Sequence, residues 1–324
     1  MRSTSALPRI GVVIVTYNAA DVIADCVRSV LGQRGVELFI TLCDNGSADR
    51  TVQTVRDAAG DSAVERKHGD TATLSTGLTL VRSAENRGFA AGVNAGLRLL
   101  REVPDLDLFW ILNPDCVAGE DAAAAYLAAA GPKTGLIGGR TVYADPAGLI
   151  QSDGGRVNWW TGVCHNVNQG KPAPAAKPAD DGLDFVSGAN FAVTRAFLDQ
   201  AGLMPERYFL YYEEVDWAQH RGGLSLQTCS GAVVRHVGGS AIGSGSTRKA
   251  PSALSNYFNY RNRLRFMRRY RPLALPVCWG YGMLRAGKHI LMGEGAPGIA
   301  AMRGLCGLPL PATDRQRLGP CNRV

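Results

Sequence analysis

The sequence predicts an α/β protein with a Rossmann-like, mostly parallel sheet flanked by helices. Apolar, β-branched runs alternate with segments in which apolar residues recur at helical spacing. The runs are apolar throughout, as expected for strands that a parallel sheet buries on both faces. A strand at 10–15, a polar loop and a helix at 21–31 are typical of the first unit of a nucleotide-binding α/β domain.

Composition places the chain among globular proteins. Of its 324 residues, 46% are hydrophobic and 19% are charged, which excludes an intrinsically disordered chain. Eight cysteines occur without CxxC pairs or histidines at zinc spacing, so we expect reduced thiols, a cytoplasmic location and no zinc module. The first residues contain no apolar stretch of the kind found in signal peptides.

The net charge of +7 is unevenly distributed along the chain. Ten lysines and arginines and no acidic residue fall within 248–293. Apolar residues and five arginines share the segment 252–270, which predicts a basic amphipathic helix suited to an anionic membrane surface. The apolar run at 273–284 is too short to span a bilayer. We therefore predict a main domain over 1–247 and a peripheral, helical C-terminal extension over 248–324.

A candidate ligand site follows the apolar run at 109–112. Asn113-Pro114 ends this predicted strand, so Asp115 should stand at the C-terminal edge of the sheet, where open α/β sheets bind ligands. A carboxylate there suits a divalent cation that carries a diphosphate, although a helix-capping Asp gives the same pattern. His236, at a predicted strand end before two glycines, is a candidate metal ligand or an ordinary structural imidazole.

Two loops are further candidates for ligand contacts. Asp44 closes the second predicted strand, where it could meet a ribose or serve as a turn residue before Asn-Gly. The loop at 85–96 has glycines that let backbone approach a ligand closely, and Arg87 could bind phosphate there. The loop matches neither the dinucleotide fingerprint nor the P-loop, which argues against a Rossmann dehydrogenase.

Three carboxylates follow a run of aromatic residues near the C-terminal third of the chain. Glu213, Glu214 and Asp216 lie between Tyr212 and Trp217. Their aromatic neighbours favour burial over a solvated helix face. Crowded, partly buried carboxylates have a raised proton affinity, which is the property that a general base needs.

Seven short stretches occur along the chain in a fixed order. They are VTYN at 15–18, DNGS at 44–47, NRGFAAGVN at 86–94, LNPD at 112–115, SGA at 187–189, YEEVD at 212–216 and HVGGS at 236–240. In this order they resemble the family 2 glycosyltransferases with the GT-A fold, most closely the rhamnosyltransferase-like branch. The resemblance covers residues 10–263.

The resemblance implies a metal-dependent, inverting hexosyltransferase of cell-wall polysaccharide biosynthesis. It implies that Asp115, the last residue of the DXD motif, and His236 bind Mg²⁺ or Mn²⁺ on the nucleotide diphosphate. Asn113 replaces the first Asp of that motif, as is usual in this branch, and adds no charge. The residues that the resemblance implies at the nucleotide-sugar donor are Thr16, Tyr17, Asn18, Asp44, Asn86, Arg87, Gly88, Asn94 and Asn113.

The resemblance also implies a catalytic base within the carboxylate cluster. The family usually has Glu-Asp or Asp-Asp after Tyr212, so Glu213-Glu214 differs by one methylene and leaves the base unassigned. We expect Glu213 to be the base, with Glu214 as the second candidate. Asp216 would orient the acceptor or brace the loop.

The implied partners are a nucleotide-sugar donor, with dTDP-rhamnose suggested by the branch, and a glycan or lipid-linked acceptor. We expect no nucleic-acid partner, and pairing of the C-terminal helices with a second copy stays open. Two other functions also stay open. A sugar-phosphate nucleotidyltransferase should carry a Gly-rich N-terminal loop with Arg and Lys, and a non-catalytic nucleotide-sugar-binding module would not need the carboxylates. The predicted location is the cytoplasm, at the inner face of the plasma membrane.

Overall fold

The computed structural model describes residues 7–60, 63–67, 69, 74–238, 251–316 and 318. The strands are β1 (Arg9–Thr16), β2 (Glu37–Asp44), β3 (Ala63–Lys67), β4 (Gly77–Arg82), β5 (Leu108–Leu112), β6 (Cys116–Ala118), β7 (Thr134–Tyr143), β8 (Ile150–Ser152), β9 (Gly155–Val157), β10 (Cys164–Asn166), β11 (Asn190–Thr194) and β12 (Ser225–His236). The helices are α1 (Ile23–Leu31), α2 (Thr51–Ala59), α3 (Phe89–Leu100), α4 (Ala122–Ala129), α5 (Arg195–Ala201), α6 (Glu213–Ala218), α7 (Ala253–Tyr270), α8 (Leu275–Leu291), α9 (Gly295–Leu305) and α10 (Ala312–Gln316).

Within the described ranges, ten strands form one sheet in the order β3-β4-β2-β1-β5-β11-β7-β12-β6, and β8 pairs with β7. The five strands from β3 to β5 in that order run parallel to one another. Strand β11 lies antiparallel between β5 and β7, and β12 runs parallel to β7. The predicted α/β class with a mostly parallel sheet flanked by helices is therefore confirmed.

Alternation of side chains along the strands builds a core on each face of the sheet. On β1, Ile10, Val12 and Ile14 point to the face that α1, α2 and α4 cover, whereas Val13 and Val15 point to the face that α3, α5 and α6 cover. Both faces of the central strands are buried, which explains why these runs are apolar throughout.

The parallel strands end together at one edge of the sheet. The register pairs Thr16 of β1 with Asp44 of β2, and Asp44 with Arg82 of β4. Strand β5 lies beside β1 and ends at Leu112, so the chain reaches Asp115 at the same edge. The predicted position of Asp115 at the C-terminal edge is therefore confirmed.

Helix α7 differs from the membrane-facing helix predicted at 252–270. Phe258 stacks on Phe209 with 5.1 Å between ring centroids, and Phe266 belongs to the core of the main sheet. The apolar face of α7 is therefore covered by protein. The sequence pattern could not show this, because an apolar helix face looks the same whether protein or lipid covers it.

The predicted domain boundary at 247 falls within 239–250, outside the described residues, together with the end of HVGGS and the first two cations of the basic segment. The division into two domains stays a prediction. Beyond α7, helix α8 buries a stripe of small residues, Cys278, Gly282 and Ala286. Among the helices of the described ranges, none combines the length and hydropathy that a bilayer crossing requires.

Candidate active site

The structure brings the two predicted metal ligands together. After β5, the turn 113–115 leads into the short edge strand β6, which pairs with the end of β12 so that Cys116 lies opposite His236. The Val237 N–H donates to the Asp115 carbonyl at 3.0 Å. As a result, His236 Nε2 lies 3.1 Å from Asp115 Oδ1, and both side chains are buried.

Gln151 of β8 orients the His236 imidazole and was not predicted from the sequence. His236 Nδ1 and Gln151 Oε1 lie 2.6 Å apart, and because the amide oxygen can only accept, Nδ1 carries the hydrogen. Nε2, the other ring nitrogen, faces the Asp115 carboxylate. Two electron-pair donors this close need a proton or a cation between them, so these residues fit a divalent cation.

A third group lies within the same cluster. One ligand atom each of Asp115, Cys116 and His236 lies within 4.8 Å of the others. The Cys116 thiol donates to the Ala189 carbonyl at 3.6 Å, so its hydrogen is engaged in a contact with backbone. The carboxylate and imidazole therefore form the donor pair, which suits Mn²⁺ or Mg²⁺ with the remaining ligands supplied by phosphate oxygens and water.

The carboxylates of α6 lie on the other side of the segment 187–190. A Cβ placed on Gly188 would meet the Glu214 carboxylate at 3.4 Å, and the next carbonyl, of Ala189, accepts from the Asn113 N–H at 3.0 Å. Gly188 and Ala189 thus lie between the two groups: Ala189 bonds to the turn that carries Asp115, and Gly188 lies beside the carboxylate of Glu214. The candidate metal ligands Asp115 and His236 and the carboxylate of Glu214 therefore lie on either side of the segment 187–190.

Glu213 and Glu214 differ in burial and in proton affinity. Glu213 is buried, and its Oε2 has no hydrogen-bond partner within the described part of the chain. Burial, and next the charge of Glu214, raises the pKa of Glu213 well above its ordinary value. Glu214 is partly exposed, and burial raises its pKa to about 7. Glu214 can therefore exchange a proton near neutral pH.

The turn that enters α6 is strained. Tyr211 and Tyr212 both have left-handed backbone, with φ of 68° and 73°, a conformation that bulky residues rarely adopt. Helix α7 holds this turn, because Asn262 Nδ2 donates to the carbonyls of Leu210 at 2.7 Å and Tyr211 at 3.2 Å. The Tyr212 hydroxyl donates to the Gly162 carbonyl at 2.7 Å. Surrounding contacts thus fix the backbone that presents the carboxylates.

Asp216 lies at the centre of a buried hydrogen-bond network. Its carboxylate accepts from the hydroxyls of Tyr208, at 2.8 Å, and Tyr270, and His220 Nε2 lies 3.1 Å away. Burial alone would raise the pKa of Asp216, but these hydrogen bonds and the charge of Arg207 hold it below its ordinary value. Because the side chain is fully buried and its oxygens are occupied, the geometry supports bracing of the loop over contact with an acceptor.

Thr16 and Asp44, the paired last residues of β1 and β2, are polar and buried. The Thr16 hydroxyl is buried and has no hydrogen-bond partner among the described residues. Asp44 accepts from Ser47, whose hydroxyl oxygen also accepts from the Asn18 N–H at 2.9 Å. Burial raises the pKa of Asp44, although hydrogen bonds from Ser47 and the charge of Arg82 oppose the shift. Tyr17, which follows Thr16, is partly exposed.

The comparisons with known proteins agree with this geometry. The family model described as "Glycosyl transferase family 2" matches residues 11–195. The chain belongs to glycosyl transferase family 2. The predicted glycosyltransferase activity is therefore confirmed over the two alternative functions. The matched region includes Asp44 and Asp115 and ends before Glu213, Glu214 and His236.

Individual relatives place the chain within this family. The N-acetylglucosaminyl-diphospho-decaprenol L-rhamnosyltransferase of Mycobacterium tuberculosis is 27% identical over 72% of this chain and 76% of its own length. A mannosyltransferase of Pyrobaculum calidifontis, solved with GDP-Man and Mn²⁺, has a TM-score of 0.51 and 19% identity, covering 96% of this chain and 83% of that chain. GalNAc-T7, solved with UDP, GalNAc and Mn²⁺, has a TM-score of 0.53 and 12% identity, covering 94% and 57%. The GT-A fold and the rhamnosyltransferase-like character are thus confirmed.

The glycines of the 85–96 loop in this glycosyltransferase approach protein backbone and side chains. Gly88 has φ of +87°, and a Cβ there would lie 2.5 Å from the Phe209 carbonyl oxygen. The Asn86 side chain accepts from the Gly88 N–H at 3.0 Å. A Cβ on Gly92 would lie 2.5 Å from Val15, so this glycine lets α3 pack closely on β1. Close packing accounts for glycine at both positions, and the ligand contact of this loop stays a prediction.

Two predicted donor contacts in the same region also have internal partners. Asn94 is buried, and its amide exchanges hydrogen bonds of 2.9 Å with both the N–H and the carbonyl of Met204. The amide of Asn94 thus joins α3 to the 204–206 segment, and its donor contact stays a prediction. Arg87 lies 3.6 Å from Glu206 and also lines a small cavity with Asp44. Asn113 is half-buried.

Proposed function

We propose that this chain is an inverting glycosyltransferase that transfers a sugar from a nucleoside diphosphate to a hydroxyl group. The observation that carries the proposal is the 3.1 Å approach of Asp115 and His236 at the C-terminal edge of the sheet, with Glu214 across the 187–190 segment. Thr16 and Asp44, at the ends of the neighbouring strands, would hold the nucleoside, as expected for ligands of open α/β sheets.

Asp115 and His236 would hold the cation, and two similar solved transferases contain Mn²⁺. A bound divalent cation supplies positive charge to the departing diphosphate. Gln151 keeps the imidazole turned towards Asp115 and fixes the tautomer in which Nε2 is the ligand. Arg87 would add a charge-assisted hydrogen bond to phosphate.

Glu214 is the base that the geometry favours, although the sequence led us to expect Glu213. Glu214 is partly exposed, and its pKa of about 7 allows it to accept a proton at neutral pH. Glu213 is buried and more firmly protonated. Glu214 would take the proton of the acceptor hydroxyl as that oxygen attacks the anomeric carbon. The bond from this carbon to the diphosphate breaks in the same displacement, which inverts the centre.

The acceptor is proposed to be lipid-linked and the donor to be dTDP-rhamnose. The support is the M. tuberculosis relative, which is named as a rhamnosyltransferase for a decaprenol-diphosphate acceptor. The protein would then work peripherally at the inner face of the plasma membrane. The main domain at 1–247 would carry the chemistry, and the helices after 248 would meet the membrane.

A panel of nucleotide sugars tests the proposal. We expect dTDP-rhamnose to raise the melting temperature in the presence of Mn²⁺ and to lose this effect with EDTA, since binding to the folded state stabilises it. Transfer to a short-chain polyprenyl-diphosphate-linked N-acetylglucosamine should give a product of inverted anomeric configuration by NMR. Release of pyrophosphate in place of a nucleoside diphosphate, or retained configuration, would contradict the mechanism.

A further inference from the structure

Helix α8 exposes an apolar stripe on the side opposite its buried residues. Cys278, Gly282 and Ala286 face the protein, so the residues spaced by seven positions on the far side point outwards. These are Val277, Leu284 and Leu291, which are 47%, 76% and 89% exposed, and Leu273, just before the helix, is 95% exposed. Single exposed apolar residues are ordinary, but an aligned stripe of them on one helix indicates an interaction surface.

The surroundings of this stripe are basic. Arg285 and Lys288 are exposed on the same helix, and neither has an ion-pair partner within the described ranges. Arg268 and Arg271 are exposed at the end of α7. The sequence contains no acidic residue from 248 to 293, so a second copy of α8 would bring like charges against like. Charge complementarity therefore favours an anionic partner over self-association.

Exposed aromatic side chains lie on α8 and on the nearby chain segment at 159–162. Trp279 and Tyr281 are exposed on α8. Arg271 lies over the ring of Trp159 at 5.5 Å, and Trp160, the next residue, is exposed. The turn that contains these tryptophans continues to Gly162, whose carbonyl accepts from Tyr212, the residue before Glu213. The turn at 159–162 thus joins Arg271, which precedes α8, to the residue before Glu213.

We propose that the outward face of α8, defined by Leu273, Val277, Leu284 and Leu291 with Arg285 and Lys288, docks on an anionic lipid bilayer. The apolar side chains would enter the boundary between headgroups and acyl chains while the cations meet lipid phosphates. This inference deepens the proposed function, because such docking would hold the candidate base near a lipid-linked acceptor. It assigns membrane contact to α8, one part of the basic segment 248–293 for which the sequence predicted peripheral association.

Vesicle sedimentation of the full chain tests the proposal. We expect binding to phosphatidylcholine vesicles that contain about one third phosphatidylglycerol, and weaker binding as salt rises. The double variant Leu284→Gln/Leu291→Gln should bind at least about tenfold more weakly, because it removes apolar surface that enters the bilayer. Leu7→Gln, an exposed apolar position outside this face, should bind as the unsubstituted chain does.

The same preparations distinguish the other outcomes. Vesicle binding that the double variant retains would overturn the proposal, as would a chain that is dimeric without lipid and becomes monomeric only in that variant. Arg285→Gln/Lys288→Gln should reduce the salt-dependent part of binding, and an unchanged salt dependence would also contradict it. Loss of vesicle binding in the double variant would support the docking surface, whether or not any preparation transfers a sugar. Absence of sugar transfer in every preparation would overturn the proposed function and leave the docking surface standing.

Discussion

Glu214 and Asp216 lie on one turn of α6 but have opposite electrostatic environments. Asp216 accepts hydrogen bonds from Tyr208, Tyr270 and His220, so its pKa is held below the ordinary value. Burial raises the pKa of Glu214 to about 7, because fewer groups compensate its charge. Two carboxylates with separated proton affinities can take different roles. Asp216 stays ionised and holds the structure, while Glu214 can accept and release a proton.

Replacement of Glu214 by Gln should lower turnover by about 10²–10⁴-fold while donor binding persists, because the base is lost and the metal-binding pair is retained. In the unsubstituted enzyme, kcat should rise with pH through about 7 and then level, since only the deprotonated carboxylate accepts a proton. Steady-state kinetics over about pH 5.5 to 8.5, a range that extends more than one unit to either side of that pKa, test the loss of turnover and the pH dependence. Near-normal turnover in Glu214→Gln combined with a large loss in Glu213→Gln would restore Glu213 as the base.

Replacement of Gln151 by Leu should weaken metal-dependent donor binding by about 10–100-fold, because the imidazole of His236 loses the partner that sets its tautomer. Calorimetric titration of the nucleoside diphosphate at several Mn²⁺ concentrations measures this. Gln169→Leu is the matched control, since Gln169 donates to the Tyr143 hydroxyl and does not contact the imidazole. Equal Mn²⁺ dependence in the two variants would contradict the role given to Gln151.

The strained turn before α6 depends on helix α7, which lies far along the chain. Left-handed backbone at two successive tyrosines costs free energy, and interactions within the turn itself do not offset that cost. Hydrogen bonds from α7 and the packing of Tyr212 on Phe266, with 5.6 Å between ring centroids, offset this cost. The position of the carboxylates is therefore a property of two elements together.

Asn262→Ala should lower the free energy of unfolding by about 1–3 kcal/mol, because it leaves two partly buried carbonyls of the turn without this donor. It should also reduce kcat more than it raises the donor KM, since the turn presents the base and not the donor. Urea unfolding and kinetics measure these effects. Asn256→Ala, which removes hydrogen bonds only to the start of the same helix, should preserve kcat. Equal losses of kcat in both variants would argue against a specific role of the turn.

At the scale of the whole molecule, the sequence predicted what local patterns determine. The strand end before Asn113 predicted Asp115 at the sheet edge, and the family resemblance paired it with His236. The glycines of 85–96 indicated a close approach of the backbone, but the pattern did not show that Phe209 and Val15 are the groups approached. Gln151 carries no local signal, since only the pairing of β8 with β7 brings it to the imidazole. The helix at 252–270 was predicted, but the protein contacts of its apolar face were not. Those contacts come from residues that are distant in sequence, such as Phe209.

A chain that ends at the predicted boundary of residue 247 should fail to fold cooperatively. Phe266, Met267 and Cys278 belong to the core cluster that covers one face of the main sheet, so their removal exposes Tyr212 and neighbouring apolar groups. Compared with the full chain, the shortened chain should show a weaker near-UV circular dichroism signal and stronger binding of a hydrophobic dye, because its core is loosely packed. A sharp unfolding transition in the shortened chain would instead establish 1–247 as an independent domain.

The ladder pair between Cys116 and His236 has a consequence for synthesis of the protein. During translation Asp115 is synthesised long before His236, and α7 is synthesised later still. Until then the short strand β6 has no neighbour and the turn before α6 has no support. Contacts between such distant segments form slowly and late in folding. Nascent chains should therefore lack transferase activity until residues through Tyr270 of α7 have emerged from the ribosome.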